Sequence, residues 1–371
     1  MIYPITNPFN SEVLFSMTHL SSSKVFSLYL FIFLIGIIIL IFSDLRLFSN
    51  VRNLMVKNER DYIEIEEINF KSDTHLSNLP LDFNVQIEHS INKNMTPFYI
   101  GASFQDPLGN WIDLPVVDFL PSKKNEEIIT MSTHLTELSE EMLITGAYKV
   151  VVSIWDTCPT EENATRLSTL SIDNALRIYN FEDNFDMIDD NIWFSREGKL
   201  GRSNLDPKRV TTSEGRLKIM IPRGSVNGGE LQTIDLVHYG SYEIKMKIPN
   251  APSSITGFFL YKAPDFHHEI DIEIYNQKDA TALFTSYYSG GAYHEDKTSL
   301  TFDPTEDFYN YRIDYYPNSV SYYIDNQLMQ TWTEGFSTEP MYLMINTWFP
   351  SWLEGLPPFE NQWLEVDWIR Y

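Results

Sequence analysis

The sequence is almost free of cysteine, and its single thiol, Cys158, excludes an intrachain disulfide. A small domain held together by disulfides is therefore ruled out, and stability has to come from buried apolar surface. No motif of paired thiols accompanies Cys158, so we interpret it as an inert residue. The lack of disulfides does not by itself exclude export from the cell.

Positive charge is also scarce. The chain has 27 Lys and Arg residues against 51 Asp and Glu residues, which gives a formal net charge of −24. A protein that binds nucleic acid needs a basic patch to neutralise phosphates, and no cluster of basic residues is present. The composition therefore excludes a nucleic-acid partner, whereas an acidic surface suits a neutral ligand.

One long apolar run stands out, the segment VFSLYLFIFLIGIIILIF at residues 25–42. It is uncharged, and its length is near the lower limit for spanning a bilayer. No small-residue cleavage site follows it. We predict an N-terminal tail at 1–24, a transmembrane signal anchor at 25–43 and a polar stalk at 44–65. The alternative is a signal peptide that is removed from a secreted protein.

Short alternating segments with turn residues between them dominate the rest of the chain. Those at residues 83–91, 97–105 and 148–156 predict a small accessory β-sandwich module over residues 66–178. After residue 179 the pattern intensifies, and no long period of 3.6 residues appears. We therefore predict an all-β protein with a second, larger sandwich at 179–371. Its clearest strands are at residues 240–249, 308–316, 319–327, 341–349 and 364–371.

One strand carries an arrangement that stability does not explain, the segment HEIDIEIYN at residues 268–276. Its alternation places three isoleucines on one face and Glu269, Asp271 and Glu273 on the other. Neighbouring acids on this face lie about 6.6 Å apart, without a cation between them. Such an arrangement repels itself, so we expect a functional reason for it.

Glycoside hydrolysis is one such reason. Retaining enzymes need a nucleophilic carboxylate and a carboxylic acid about 5–5.5 Å apart. The Cα atoms of Glu269 and Glu273 lie about 13 Å apart on an ideal strand, so their side chains must lean inward over a groove. Asp271 would raise the proton affinity of its neighbours, and the three groups should titrate as a coupled set. Three other interpretations stay open: a solvated strand face, a Ca²⁺ site or a lectin site without catalysis.

The same segment resembles the active-site signature E-x-D-x-E of glycoside hydrolase family 16, in the branch of lichenases (endo-β-1,3-1,4-glucanases) and xyloglucan transglycosylases. The resemblance extends in order over residues 179–371, through GSYEIKMKIPNAPSSITGFFLYKAP, SYYSGGAYHE, YLMINTW and EVDWIRY. It implies a concave β-jelly-roll sandwich and a retaining, endo-acting hydrolase of a β-linked glucan. The alternatives are a transglycosylase that remodels cell-wall or exopolysaccharide and a carbohydrate-binding protein without catalysis.

The resemblance also implies roles for individual residues. Glu269 would be the nucleophile, Glu273 the general acid/base and Asp271 an assisting carboxylate. No cofactor is required, but members of the family often hold a structural calcium ion, for which Asp367 would be a ligand. The residues at substrate-binding positions are Glu230, Phe259, Tyr261, His267, Tyr288, Glu295, Asn346, Trp348 and Trp352.

Three residues depart from the lichenase pattern on the sugar-binding side. His267 stands where lichenases usually have a tryptophan, Gln232 replaces an arginine near Glu230, and Ser286 replaces an asparagine. The three carboxylates themselves are intact. The departures therefore bear on which polysaccharide is bound and leave the chemistry unchanged.

The expected polysaccharide substrate favours a location outside the cytoplasm. Four basic residues follow the apolar run, at positions 46, 52, 57 and 60, whereas only Lys24 lies close before it. The positive-inside rule alone would thus place the body of the protein in the cytoplasm. We nevertheless predict a membrane-anchored protein with an extracytoplasmic catalytic domain, and a secreted protein as the alternative.

Overall fold

The computed structural model describes residues 62–70, 73–78, 82–91, 96–122, 126–132 and 143–371. In these residues the protein is built from β-strands and short 3₁₀ turns, which confirms the predicted all-β class. The predicted tail, the membrane segment and nearly all of the stalk lie outside the described residues and stay predictions. Within the described ranges, no helix is long and apolar enough to cross a membrane.

The N-terminal part of the described chain is a β module. Strands β1, β3 and β7 form one antiparallel sheet, and a second sheet has the order β2-β9-β8-β4-β5, with β6 paired to β4. Strand β1 begins at Ile63 and therefore includes the last three residues of the predicted stalk. The side chains of Ile63 and Ile65 alternate with an exposed residue and are buried in the core of the module. The strands are β1 (Ile63–Asn69), β2 (Asp73–His75), β3 (Asp82–His89), β4 (Phe98–Gln105), β5 (Trp111–Asp113), β6 (Val117–Phe119), β7 (Glu126–Ser132), β8 (Gly146–Trp155) and β9 (Arg166–Tyr179).

The C-terminal part is a larger, jelly-roll-like domain of two sheets. One sheet has the order β11-β16-β25-β18-β19-β20-β21, and the other has the order β14-β15-β26-β17-β22-β23-β24, with β10 paired to β26. Strands β12 and β13 pair with each other. The strands are β10 (Glu182–Asp183), β11 (Trp193–Ser195), β12 (Gly198–Leu200), β13 (Ser203–Leu205), β14 (Val210–Thr212), β15 (Leu217–Ile221), β16 (Gly229–Thr233), β17 (Gly240–Lys247), β18 (Ile255–Lys262), β19 (His268–Tyr275), β20 (Thr281–Tyr288), β21 (Gly291–Ser299), β22 (Tyr309–Tyr316), β23 (Ser319–Ile324), β24 (Gln327–Trp332), β25 (Tyr342–Trp348) and β26 (Gln362–Arg370).

The core of this domain lies between its two sheets. Ile270, Ile272 and Ile274 of β19 are completely buried there, as their alternation predicts. The facing sheet contributes buried aromatic side chains, and one of them links the sheets directly, because the Tyr322 hydroxyl donates to the Thr285 carbonyl at 3.0 Å. The acids of β19 therefore occupy the outer face of the seven-stranded sheet.

The module is held against the eight-stranded sheet by a buried ion-pair network. Glu243 on β17 is 2% exposed and accepts hydrogen bonds from Arg370 at 2.8 Å and from Arg177 of the module at 3.2 Å. Arg370 also contacts Asp73 of the module at 3.2 Å. A buried carboxylate is costly unless it is paired, so this network couples the two parts energetically.

Two glycines leave room for side-chain hydroxyl groups at the same interface. A Cβ atom at Gly240 would lie 2.4 Å from the hydroxyl oxygen of Thr145, and one at Gly146 would lie 2.0 Å from the Tyr316 hydroxyl. The space that a side chain would need is occupied by the hydroxyl groups of Thr145 and Tyr316, and both form hydrogen bonds. The Ser241 amide donates to the Thr145 hydroxyl at 3.1 Å, and the Tyr316 hydroxyl donates to the Thr145 carbonyl at 2.9 Å.

We expect Glu243→Gln to lower the free energy of unfolding by about 3 kcal/mol, because the partly buried Arg177 loses its carboxylate partner and Arg370 keeps only Asp73. Urea denaturation measures the change. Asp173→Asn is the matched control, since it breaks an ion pair in which Asp173 is 77% exposed and should cost about 0.5 kcal/mol or less. Equal effects of the two substitutions would contradict the role assigned to the network.

Candidate active site

Three carboxyl groups of β19 line a single cleft of about 700 Å³ on the outer face of the seven-stranded sheet. They are Glu269, Asp271 and Glu273, and alternation along the strand places them there together. All three acids therefore open into the same cleft, and the predicted convergence of Glu269 and Glu273 stays a prediction. Of the predicted substrate-binding residues, the cleft is lined by Glu230, Phe259, Tyr261, Glu295, Asn346, Trp348 and Trp352.

Strand register arranges the cleft face in rows that cross the sheet, one row for each carboxylate. The Glu269 row contains Tyr342, Tyr261 and Tyr287. The Asp271 row contains Gln232, Met344, Phe259, Thr285 and Glu295. The Glu273 row contains Glu230, Asn346, Gly257, Leu283 and Lys297.

The Glu273 row is organised by an amide in its middle. Asn346 donates from Nδ2 to Glu230 Oε2 at 2.9 Å, and its Oδ1 accepts from the Gly257 amide at 3.2 Å. A Cβ atom at Gly257 would lie only 2.9 Å from that oxygen, so the glycine makes room for it. Glu230 is 1% exposed and also pairs with Arg196, 3.1 Å from its Oε1.

Burial and mutual repulsion disfavour full ionisation of the three acids. Burial, together with the charge of Glu273, raises the pKa of Glu269 to about 8, against the effect of a hydrogen bond from Asp271. Burial and the charge of Glu295 raise the pKa of Glu273 to about 7, and Lys297 acts in the opposite direction. Groups that interact so strongly titrate as one set, as the sequence predicts.

Asp271 is the member of the set most strongly driven to the neutral form. Its carboxyl group is 3% exposed, and burial followed by the charges of Glu269 and Glu273 raises its pKa far above the ordinary value. The side chain of Asp271 acts on Glu269 against the effect of burial and lowers the pKa of Glu269. Asp271 thus stabilises the carboxylate form of Glu269.

Aromatic side chains form one end of the cleft. Trp352 lies 6.0 Å from Tyr275 between ring centroids, and it is 56% exposed. The loop that carries Trp352 is held by the guanidinium of Arg202, which donates to four carbonyl oxygens. They belong to Pro350 at 3.2 Å, Leu353 at 2.7 Å, Gly355 at 3.0 Å and Ser253 at 3.0 Å.

Two predicted substrate-binding residues do not line the cleft. His267 precedes β19, where Phe266 has a φ of 67°, so the alternation does not extend to it and its ring faces the β20–β21 turn near Gly290. Tyr288 is paired with His268, whereas Tyr287 is paired with Glu269 and lines the cleft in its place. The prediction thus named the neighbour of the correct residue, and adjacent residues of a strand point to opposite faces of the sheet.

Asp367, the predicted calcium ligand, is paired with basic side chains, and its role as a ligand stays a prediction. The carboxylate of Asp367 lies between Lys245 Nζ at 2.9 Å and Arg216 Nε at 3.6 Å, so its negative charge is already paired. In the part of the chain that the structure describes, no group of three or more His, Cys, Asp or Glu side chains is placed to hold a metal ion.

The sequence analysis missed several residues that line the cleft, among them Arg196, Tyr287 and Lys297. Tyr287 and Lys297 lie on strands in register with the acids of β19, and Arg196 directly follows β11, opposite Glu230. If the register between the strands were known, these residues could be found as those that lie opposite the acids. The sequence alone does not supply that register.

The fold and the site together define a class. A jelly-roll-like pair of sheets with coupled, cleft-lining carboxyl groups on one strand is the apparatus of an O-glycosyl hydrolase. Residues 201–370 match the family model described as Glycosyl hydrolases family 16.

Two bacterial β-glucanases support the same conclusion by sequence. The chain is 32% identical over 171 residues to the β-glucanase of Bacillus subtilis (strain 168), which covers 43% of this chain and 70% of that protein. It is 28% identical over 211 residues to the β-glucanase of Brevibacillus brevis, with 52% and 81% covered. A solved structure of the Bacillus licheniformis β-glucanase matches with 27% identity and a TM-score of 0.47, over 52% of this chain and 96% of that one. The chain belongs to glycosyl hydrolases family 16, as its resemblance implied.

We expect Arg202→Met to weaken substrate binding, because the loss of four carbonyl contacts releases the loop that holds Trp352 against the cleft. KM for a long polysaccharide should rise several-fold while kcat changes little. Arg223→Met, which removes an exposed arginine from the same domain, is the matched control. A fall in kcat at unchanged KM would show that Arg202 does not act through this loop.

Proposed function

We propose that this protein is a retaining, endo-acting hydrolase of a β-linked glucan, of the β-1,3-1,4-glucan type or a related polysaccharide. The observation that carries the proposal is the coupled carboxyl set of Glu269, Asp271 and Glu273 in one cleft. Membership of glycosyl hydrolases family 16 and the similarity to bacterial β-glucanases support the substrate class.

The first chemical step forms a glycosyl-enzyme. Glu269 attacks the anomeric carbon as a carboxylate, and the bond from that carbon to the glycosidic oxygen breaks. Glu273 gives its proton to the departing oxygen, and its raised pKa keeps that proton available near neutral pH. The side chain of Asp271 lowers the pKa of Glu269, and so favours the ionised nucleophile before attack and the departing carboxylate afterwards.

The second step releases the sugar. Glu273, now ionised, takes a proton from water while the water oxygen attacks the anomeric carbon and displaces Glu269. Two displacements at one carbon retain its configuration. If a sugar hydroxyl replaced water in this step, the product would be a longer chain, so product analysis with added oligosaccharide distinguishes hydrolysis from transglycosylation.

The charge of the cleft favours a neutral polysaccharide. Its lining residues include six carboxyl groups and only two cations, Arg196 and Lys297. A sulfated or carboxylated chain would be repelled by this field, whereas the hydroxyl groups of a glucan can donate hydrogen bonds to the carboxylates. The carboxyl groups are those of Glu230, Asp265, Glu269, Asp271, Glu273 and Glu295.

The N-terminal apolar run supports a proposal about location. An uncharged run of this length at residues 25–42 suits a signal anchor that holds the catalytic domain at a membrane, on the side where polysaccharide is found. Membrane fractionation and protease treatment of intact cells test it. Full-length protein in the soluble fraction would contradict the anchor.

We expect Glu269→Ala and Glu273→Ala to differ according to the leaving group. On polysaccharide both should lose activity, Glu273→Ala by about 10²–10⁴-fold, since that is the range for one general acid. On an aryl β-glycoside whose phenolate leaves without a proton, Glu273→Ala should still release a burst of phenolate, and Glu269→Ala should not. Phenolate absorbance in stopped flow measures the burst.

Glu306→Ala, at an exposed acid of the same domain, serves as the control and should behave like the unchanged protein. Circular dichroism verifies that the inactive variants remain folded. A phenolate burst from Glu269→Ala with none from Glu273→Ala would reverse the two assignments.

The pH profile should respond to the pair Glu295 and Lys297, which lie 2.9 Å apart beside Glu273. Activity requires the form of the coupled set in which Glu269 is ionised and Glu273 holds a proton, so kcat/KM should fall at high pH as Glu273 loses that proton. Glu295→Gln removes a charge that raises the pKa of Glu273 and should move the basic limb to lower pH. Lys297→Gln removes a charge that lowers it and should move the limb to higher pH. Shifts in the same direction would contradict the assignment.

A further inference from the structure

The two sheets of the N-terminal module have outer faces of different chemistry. In the described strands β1, β3 and β7 the exposed side chains are mainly acids and amides, and no aromatic residue of these strands is exposed. The outward side chains of β4, β5, β6, β8 and β9 form the other surface, the outer module face. Away from the contacts with the catalytic domain it carries three partly or largely exposed aromatic residues, Tyr99, Trp111 and Trp155. A group of exposed aromatic side chains on one face indicates a surface that binds a ligand.

Strand register places two of these aromatic residues side by side and the third at the other end of the face. Tyr99 on β4 is paired with Trp155 on β8. Trp111 on β5 is paired with Gln105 of β4, and positions 99 and 105 differ by six residues. At about 3.3 Å for each residue, the two ends lie roughly 20 Å apart. A ligand that contacts both ends must therefore be an extended chain.

Small polar residues form the floor between the two aromatic ends. Gly101 and Ser153 are paired with each other, and both are buried. The Ser153 and Thr169 hydroxyl groups share a hydrogen bond of 2.9 Å, and the Ser103 hydroxyl donates to Asp113 Oδ1 at 2.6 Å. These bonds hold the hydroxyl groups in fixed positions. The face therefore has a shallow polar floor with aromatic rings at its ends.

The indole of Trp155 lies across this floor at Gly101. A Cβ atom at position 101 would lie only 3.2 Å from Trp155 Cζ3, so the glycine lets the ring approach the sheet. Arg166 is paired with Trp155 across the strands, and its guanidinium lies 5.7 Å from the centre of the ring. This distance is typical of a cation–π contact. The ring is thus held in place, and it presents apolar surface on which a sugar ring can stack.

The charges of the outer module face favour a neutral ligand. Lys149 is paired with Asp173 at 3.0 Å, and Arg166 is the other cation of this region. The exposed acids Asp113 and Asp118 lie on the same face. An anionic lipid surface attracts clusters of basic residues, whereas here both signs are mixed. Hydroxyl groups and mixed charges match a chain that both donates and accepts hydrogen bonds, as a neutral polysaccharide does.

We propose that the outer module face is a second glucan-binding site, separate from the cleft, which holds an extended β-linked glucan between Trp155 with Tyr99 at one end and Trp111 at the other. The choice of a glucan as the ligand rests on the function proposed above. The module contacts the catalytic domain through Thr145 and Arg177, so the aromatic residues stay accessible. Binding here keeps the polysaccharide at the protein and raises its effective concentration, without a part in bond cleavage.

The first test counts binding sites in the absence of turnover. In full-length Glu269→Gln, calorimetry with a long β-1,3-1,4-glucan oligosaccharide should show two sites for each chain. The added changes Trp111→Ala and Trp155→Leu should remove one site and leave the affinity of the other unchanged. Ile128→Ala is the matched control, because Ile128 is 68% exposed on the opposite sheet, and it should retain both sites. A single site before these changes, or two sites after them, would overturn the proposal.

The second test separates stacking from a structural role of Trp155. Trp155→Leu keeps an apolar side chain at Gly101 but removes the flat ring, so it should weaken binding at this site about tenfold. Trp155→Phe retains a ring and should recover most of the affinity. Trp111→Ala, at a residue that is 51% exposed, should weaken binding without a change in thermal midpoint. Equal affinities of Trp155→Leu and Trp155→Phe would show that the ring only packs the module.

The outcome is independent of whether the protein hydrolyses glucan. Two sites that become one support the module site even if no glucan is cleaved, and two sites that persist refute it even if cleavage proceeds. Other occupants of the face give different results. A second copy of the chain would make the full-length protein sediment as a dimer and Trp111→Ala as a monomer. A membrane would bring both tryptophans within reach of brominated lipids, which quench their fluorescence. Either result would overturn the proposal.

Discussion

The burial of three isoleucines on β19 is the constraint on which the site depends. Acids at every second position repel one another, and a solvated strand of this composition would gain little by pairing. The opposite face contributes Ile270, Ile272 and Ile274, all completely buried, and each stabilises the strand by about 1.5–3 kcal/mol. This burial offsets the repulsion and holds three carboxyl groups on one surface.

That repulsion is then used chemically. Acids kept close together in a partly desolvated cleft cannot all ionise, so the set retains protons at pH values where isolated acids have lost them. Asp271, the most buried member, has a strongly raised pKa, and its side chain lowers the pKa of Glu269. The neighbours of Glu273 act in opposite directions, since Glu295 raises its pKa and Lys297 lowers it. The three carboxyl groups of β19 therefore differ in their readiness to ionise because their neighbours differ.

The part of this arrangement that depends on a single strand can be predicted from the sequence. Alternation within one strand predicts which residues of β19 are buried, and it places Asn346 and Trp348 of β25 on one face. The register between strands is not local, and the misplacement of Tyr288 shows the consequence. A shift of one residue selects the wrong face, so Tyr287 was missed although it is adjacent. Arg196 was missed for the same reason, because its partner Glu230 lies 34 positions away.

The two sheets of the C-terminal domain have different roles. The eight-stranded sheet contacts the N-terminal module, and the seven-stranded sheet carries the cleft with the acids. The module contacts β17, β22 and β26 of the eight-stranded sheet, whereas every residue that lines the cleft belongs to the C-terminal domain. Within the described chain, the module therefore supplies no group to the cleft. Glu243 forms an ion pair with Arg370 at the module interface, whereas Glu230 forms an ion pair with Arg196 in the cleft. Because the two ion pairs lie on different sheets, changes at the interface should affect stability, and changes at the cleft should affect the choice of substrate.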